Sequence, residues 1–317
     1  MGSPGRAVAG APSVLCVGQA TLDHVLTVAG DLTVSHKHAA ARHDVVGGGL
    51  AANAAVTVAR LGGTATLAGV IGDDDTGDQV IAGLRAEHVD TRLVQRVRGV
   101  ATPFSAVIVS ADGARTIVNH NPPELLARPC PDLGGVACDA VLADGRWSAG
   151  AASALSLARH RRIPGVVDVD RSTVDAAAMA TCLQLASHLI FSEDALRDLT
   201  GAASPTDGLR RVGRDTDAHV SVTLGERGIV WIDGDDVRSL DAFHVDVVDT
   251  AGAGDVFHGA AALALAEGAD EARAFEFASA AAALKCTRPG ARAGVPSRQE
   301  VDDLLGHTPI ASEVPAP

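Results

Sequence analysis

Asp249-Thr250-Ala251-Gly252-Ala253-Gly254-Asp255 lies between the valine-rich string Val245-Asp246-Val247-Val248 and an alanine-rich run carrying Phe257 and Ala266. The first reads as a strand ending at Val248 and the second as a helix. Small residues at 251–254 let successive backbone N–H groups turn the same way, and the helix adds the positive end of its dipole. Such a turn holds a phosphate or a charge that develops during reaction. Asp255 falls in the first helical turn, where a carboxylate reaches a bound hydroxyl and takes its proton. A tight turn with a capping aspartate uses the same residue types, so the string gains its meaning from the rest of the chain. A dinucleotide-dependent oxidoreductase is disfavoured: the third glycine of G-x-G-x-x-G would fall at 257, which is Phe, and the string comes late rather than after the first strand.

Upstream, Gly47-Gly48-Gly49 open a run of helical period over 50–61 that stops at Gly62-Gly63, with Asn53 in its first turn. Val14-Leu15-Cys16-Val17, closed by Gly18, reads as a first buried strand, and Asp23 follows its end. Residues 25–46 hold two modest alternating stretches, expected as exposed antiparallel strands of a lid. Beyond them the pattern predicts a strand at 65–71, a helix at 76–87 and strands near 105–109, 116–119 and 140–143. It continues with a helix at 151–161, strands at 166–169, 189–191, 220–224 and 229–232, and long helices over about 253–267 and 271–285. Alternating strands and helices imply an α/β protein with a mostly parallel, doubly wound sheet whose sites lie beyond the strand carboxyl ends. One domain over residues 13–306 is expected, with lid strands from about 24–46 and 103–119 and flexible termini at 1–12 and 307–317.

The chain has 317 residues, 39 acidic and 26 basic, for a net charge of −13, which argues against nucleic acid or an anionic membrane as partner. Its 47% hydrophobic content rules out disorder for the bulk of the chain. Cys16, Cys130, Cys138, Cys182 and Cys286 are odd in number and scattered, the usage of a reducing compartment, and a cytoplasmic location is expected. Lys37 and Lys285 are the only lysines, and neither stands in Gly-Lys-Ser/Thr, so a P-loop NTPase is excluded.

The string 249–255 resembles the second signature of the PfkB, or ribokinase-like, sugar kinases, and GGGLAANAAVTVARLGG (47–63) resembles the first. The likeness runs over nearly the whole chain. It implies a ribokinase-like fold, a mostly parallel Rossmann-like sheet between helices with a small β-sheet lid, and an ATP- and Mg2+-dependent sugar kinase. Carried over residue by residue, Asp255 matches the catalytic base and Gly252, Ala253 and Gly254 the anion hole. Asp23 matches the carboxylate that holds sugar hydroxyls, and Gly48, Gly49 and Asn53 the glycine loop against the sugar. Thr223-Leu224-Gly225-Glu226-Arg227-Gly228 resembles the nucleotide loop, with Thr223 and Gly225 near the phosphates and Gly228 in the following turn. The family's Asn-x-x-Glu is replaced here by Ser192 and Ala195, which leaves Glu193 or Asp194 to act on the metal through water, Glu193 being the candidate. The resemblance also implies a monovalent cation such as K+ near Asp249 and the 288–290 loop, and a homodimer formed through the lid.

Within that family the sequence is especially similar to bacterial sulfofructose kinases, through Ser192-Glu193, Ala143-Asp144-Gly145-Arg146-Trp147, Phe257-His258-Gly259 and Ala283-Leu284-Lys285-Cys286-Thr287-Arg288-Pro289-Gly290. The sulfonate-binding lysine, asparagine and arginine of that subgroup match Lys37, Asn119 and Arg146. A sulfonate is a monoanion with three acceptor oxygens, which suits one or two cationic donors and a neutral one. The expected reaction is phosphorylation of the 1-hydroxyl of 6-deoxy-6-sulfofructose. A kinase of fructose, another ketose or fructose 6-phosphate is the nearest alternative, and a non-catalytic sugar-binding protein the alternative of a different class.

Overall fold

β1 (Ser13–Val17) sends Val14 and Cys16 into one buried cluster and Leu15 and Val17 into another, because side chains alternate along a strand. The computed structural model describes residues 10–33, 35–170 and 176–307; of the termini expected to be flexible, 1–12 and 307–317, residues 1–9 and 308–317 lie outside the described residues, while the Pro12 carbonyl accepts from the Thr64 amide at 2.8 Å and His307 ends a helix. After β1 the chain rises into the antiparallel pair β2 (Thr21–Val28) and β3 (Ala40–Gly48), then returns through α1 (Leu50–Arg60) to β4 (Thr64–Gly72), parallel to β1. α2 (Asp75–Ala86), capped by Asp74, precedes β5 (Asp90–Val97), and β6 (Phe104–Val109) and β7 (Arg115–His120) complete a four-stranded lid of order β3-β2-β6-β7.

Past the short α3 (Pro123–Leu126) the chain alternates through β8 (Ala140–Ala143), α4 (Ser148–Arg161), β9 (Gly165–Val169), α5 (Ala176–Leu185) and β10 (His188–Ser192). It goes on through α6 (Glu193–Thr200), α7 (Pro205–Val212), β11 (His219–Thr223) and the antiparallel edge strands β12 (Ile229–Asp233) and β13 (Asp236–Leu240). α8 (Ala253–Ala266), α9 (Glu271–Cys286) and α10 (Arg298–His307) end the described chain. The main sheet runs β13-β12-β11-β10-β9-β8-β1-β4-β5. Strand order turns back at β1, which has β4 on one side and β8 on the other, so a crevice opens beyond the carboxyl ends of β1 and β8.

α1, α8 and α9 cover one face with a close-packed alanine layer in which Ala55, Ala260, Ala261, Ala278 and Ala281 are fully buried. Gly259 makes this contact possible, since a Cβ there would lie 2.7 Å from the Ala54 carbonyl oxygen. Among the described residues no helix is long and apolar enough to cross a membrane.

The sequence pattern misses β5 and β13, the two edge strands of the sheet, because an edge carries charge: β5 holds Asp90, Arg92 and Arg96, and β13 holds Asp236 and Arg238. It also misses α5, α7 and α10, although Ser204-Pro205, where the serine caps α7, was a readable start signal. The strand expected to end at Val248 is absent. Residues 241–247 join no ladder, Val247 and Val248 are 63% and 62% exposed, and the Val248 and Asp249 amides donate instead to the Cys286 carbonyl at 2.8 and 3.1 Å. Valine content read as a strand, but β13 already forms the sheet edge and the segment crosses to the end of α9.

Candidate active site

Asp255 is the third residue of α8, and Gly252, in the left-handed region at φ +73°, begins the helix. The Val256 amide is the first to close an α-helical bond, onto the Gly252 carbonyl at 3.0 Å, so the amides of the first turn have no intrahelical acceptor. Ala253 N–H folds back onto the Thr250 carbonyl at 3.2 Å. A Cβ on Gly254 would meet nothing within 4 Å, which leaves the mouth of the turn open.

Asp255 is only 7% exposed, and burial pushes its carboxyl up to about 7 against the opposing hydrogen bond from Asn53. Asn53, on α1, donates from Nδ2 to Asp255 Oδ2 at 2.6 Å, and its own Oδ1 accepts from Arg292 Nε at 2.8 Å. The two bonds fix which way the amide faces. His258, one turn beyond Asp255, donates from Nδ1 to the Gly254 carbonyl at 2.7 Å and lies 3.3 Å from Asp168 Oδ2. Burial lowers the His258 pKa, so the imidazole is neutral, while burial and the neighbouring Asp170 and Asp144 charges raise Asp168 well above the ordinary range.

The glycine loop brings the lid to this centre. A Cβ on Gly48 would lie 2.2 Å from Asp23 Oδ2, and one on Gly47 would lie 1.8 Å from Arg292 Nη1. Gly49 has φ +92° and backs onto the Gln19 carbonyl. Arg292 Nη2 donates to the Gly48 carbonyl at 2.9 Å, and burial lowers its pKa to about 10, which leaves it cationic at neutral pH between Asp23 and Asp255. Its loop is held by Arg60, whose Nη1 donates to the Arg292 carbonyl at 2.7 Å while Nε and Nη2 grip Glu87 at 2.8 and 2.7 Å.

Strand register puts Asp23, Ser105 and Asn119 on one lid face, together with Arg115, whose guanidinium pairs with Asp249. That face looks onto the 249–255 turn. Asp249 also accepts the Ala251 and Gly290 amides at 2.9 and 2.8 Å, and although burial acts upward, these bonds with Lys285 and Arg115 hold it below the ordinary carboxylate range. Lys285, fully buried at the end of α9, donates from Nζ to the Asp249 carbonyl at 2.5 Å.

At the exit of β8, Asp144 is buried and accepts from the amides of Gln19 (2.7 Å) and Arg146 (3.0 Å), tying β1 to β8. Gly18 must be glycine, since any Cβ would overlap the Asp144 carboxyl. Arg146 Nη1 donates to Gln19 Oε1 at 2.8 Å, and Gln19 Nε2 donates to Asn121 Oδ1 at 2.6 Å. Asn121 thus joins this chain, while Asn119 stands two residues away on the lid face and Lys37 is exposed on the β2–β3 connection.

Thr223 ends β11, its hydroxyl donating to the Phe191 carbonyl at 3.3 Å. Gly225 and Gly228 both have positive φ, +61° and +82°, and a Cβ on Gly228 would lie 1.9 Å from the Leu240 carbonyl oxygen. Glu193, first in α6, is bound at 2.5 Å by Arg227 of this same turn, and Ser192 caps α6 while donating to Asp170 Oδ1 at 3.2 Å. Asp170, bonded to Ser192, and Glu193, held by Arg227, are carboxylates, the donor type that a water-rich magnesium ion takes.

Sequence reasoning did not reach Arg292, Arg115, Gln19, Asp168 or His258. Asp168 in the otherwise apolar string Val166-Val167-Asp168-Val169 was a signal, since charge inside a buried strand needs a reason. Arg292 gave none, because its partners lie far away in the chain.

A family model described as pfkB family carbohydrate kinase matches residues 11–298. The chain is 29% identical to ribokinase of Bacillus subtilis, over 92% of this chain and 99% of that protein, and 31% identical to fructokinase-1 of Zea mays, over 94% and 98%. A crystal structure from Agrobacterium tumefaciens, provisionally assigned as a ribokinase, superposes with a TM-score of 0.88 at 34% identity over 94% of this chain and 98% of that one. The fold with its lid is therefore a shared architecture, and the chain belongs to the pfkB family of carbohydrate kinases.

Proposed function

We propose that this sugar kinase transfers the γ-phosphoryl group of ATP to the 1-hydroxyl of 6-deoxy-6-sulfofructose, giving a 1-phosphate suited to later aldol cleavage. The observation that carries the phosphoryl transfer is the buried Asp255, hydrogen-bonded to Asn53 at 2.6 Å beside the open first turn of α8. Asp255 takes the proton of the attacking hydroxyl as the new O–P bond forms and the bond to the leaving ADP breaks. The amides of Gly252 and Gly254, joined by Ala253 N–H once it turns from the Thr250 carbonyl, stabilise charge on the transferring group, Asp23 accepts from sugar hydroxyls, and the lid excludes water that would otherwise hydrolyse ATP. Asp170 and Glu193 would hold Mg2+, which neutralises phosphate charge when bound. Thr223, Gly225 and Gly228 line the side assigned to the nucleotide.

Specificity for a sulfonate rests on Arg146, oriented by Gln19, on Asn119 of the lid face that carries Asp23, and on Lys37. A neutral ketose offers these cationic donors no charged partner, whereas a sulfonate does. Fructose or fructose 6-phosphate is the second reading, favoured by the likeness to a maize fructokinase.

The monovalent cation does not fit: the Lys285 ammonium already occupies the Asp249 carbonyl, and a second cation beside it would meet a like charge. Dimerisation through the lid draws support from its outer face, where Val45, Phe104 and Val118 are 44%, 39% and 62% exposed and His24 and His43 stack.

The deciding assay is ADP release with Mg2+ and ATP on sulfofructose, fructose and fructose 6-phosphate, with Lys37→Ala and Arg146→Ala alongside. Preference for sulfofructose that both variants lose supports the sulfonate site. Preference for either other sugar keeps the kinase and removes the sulfonate, and no ADP release with any sugar favours a non-catalytic binder.

A further inference from the structure

At the amino-terminal end of the main sheet, opposite the crevice, three side chains converge that the phosphoryl transfer does not use. His188 and His219 begin the adjacent parallel strands β10 and β11 and are register partners, so their rings leave the same face and stack with centroids 5.0 Å apart. Glu271, the first residue of α9, points one oxygen at both: Oε1 lies 3.5 Å from His188 Nε2 and 3.3 Å from His219 Nε2. The three ligand atoms lie within 4.8 Å of one another.

His188 carries a second, independent signal. It is 7% exposed, and its buried Nε2 makes no well-formed hydrogen bond, only the 3.5 Å approach to Glu271 Oε1, a costly state for a polar atom. Its other nitrogen is already provided for. Nδ1 lies 2.8 Å from Ser187 Oγ, a hydroxyl that accepts from Gly165 N–H at 2.8 Å and can donate to the Gly165 carbonyl at 3.3 Å. With Nδ1–H donating to that hydroxyl, the hydroxyl is saturated and the Nε2 lone pair faces Glu271 and His219. Outer partners of this kind set the tautomer of metal-bound histidines.

We propose that His188, His219 and Glu271 form a site for one divalent transition-metal ion of the zinc type, with water completing the coordination. Zinc bonds of about 2.0–2.1 Å in a tetrahedron place neighbouring ligand atoms about 3.3–3.4 Å apart, which the two histidine–glutamate distances match. The remaining histidine–histidine edge closes by rotation of His219, whose side chain is 51% exposed. Two imidazoles with one carboxylate select zinc-like ions over magnesium or calcium, which prefer all-oxygen sets. The ion clips the start of α9 to β10 and β11, so its effect is on stability and not on turnover.

The test uses the full chain, stripped with a chelator and titrated with Zn2+ by calorimetry and with Co2+ by visible absorption. One equivalent is expected, with the intense absorption of low-coordinate Co2+ and a raised melting temperature in Zn2+. His219→Ala, at an exposed position, and Glu271→Gln are each expected to weaken binding by about 10- to 100-fold or more and remove the thermal shift, while ADP release stays unchanged. Absence of stoichiometric binding overturns the proposal. So does a titration that both variants leave intact, since the ion would then sit elsewhere.

Discussion

Asp255 sets what a single residue contributes here. An ordinary aspartate ionises near about 3.9, whereas burial holds the proton of Asp255 until about 7. Turnover is therefore expected to rise with pH through about 7, as the base becomes free to accept a proton. Between those two values the folded chain binds more protons than the unfolded one, so stability falls as pH rises through the window. Asp255→Asn removes that loss. The variant should melt with the wild type below pH ~4 and above it at pH 8, by at most ~4 kcal/mol given ~1.4 kcal/mol per pH unit. Its ADP release should fall by about 10²- to 10⁴-fold. Melting curves at both pH values and a steady-state assay check the pair, and a variant of normal turnover removes Asp255 as the base.

Between elements, the closeness of α1 and α8 decides whether Asn53 reaches Asp255. Gly259 permits it: a Cβ there would meet the Ala54 carbonyl oxygen at 2.7 Å and Thr57 Cβ at 2.9 Å, and backbone cannot swing aside. Gly259→Ala is expected to push the helices apart, costing about 1–3 kcal/mol in stability and lowering kcat as the 2.6 Å bond between Asn53 and Asp255 lengthens. Gly83→Ala on α2, where a Cβ meets nothing within 4 Å, is the matched control and should leave kcat unchanged. Equal kcat in the two variants would show that the helix spacing does not matter to the base. The sequence carried this element pair as two alanine-rich runs of helical period, yet nothing in Gly259 itself named its neighbour.

For the molecule as a whole, the lid has two faces that register separates. Ile117 shares a face with Asp23 and Arg115, and Val118 shares the other with Val45 and Phe104. If the outer face is the dimer contact, Val118→Asp should halve the mass seen by light scattering, while Ile117→Asp should leave the mass intact and raise the sugar KM. A wild-type chain that is monomeric at assay concentration removes the lid-to-lid dimer.

What the sequence determined by itself was local: period, turn chemistry and small-residue strings fixed β1, α1, the lid strands and the glycine turn before α8, because each is decided by neighbours within a few residues. Residue types also pointed to Asp255, and the family resemblance to Asp23, ahead of any fold. Tertiary structure alone decided the rest. Arg292 reaches Asn53 across 239 positions, and Arg115 meets Asp249 across 134. Val245-Asp246-Val247-Val248 is not a strand because the sheet edge was already taken by β13. Ionisation behaves in the same way: an aspartate near 7 and a cationic Arg292 beside it follow from burial and from which charges surround a group, and packing sets both.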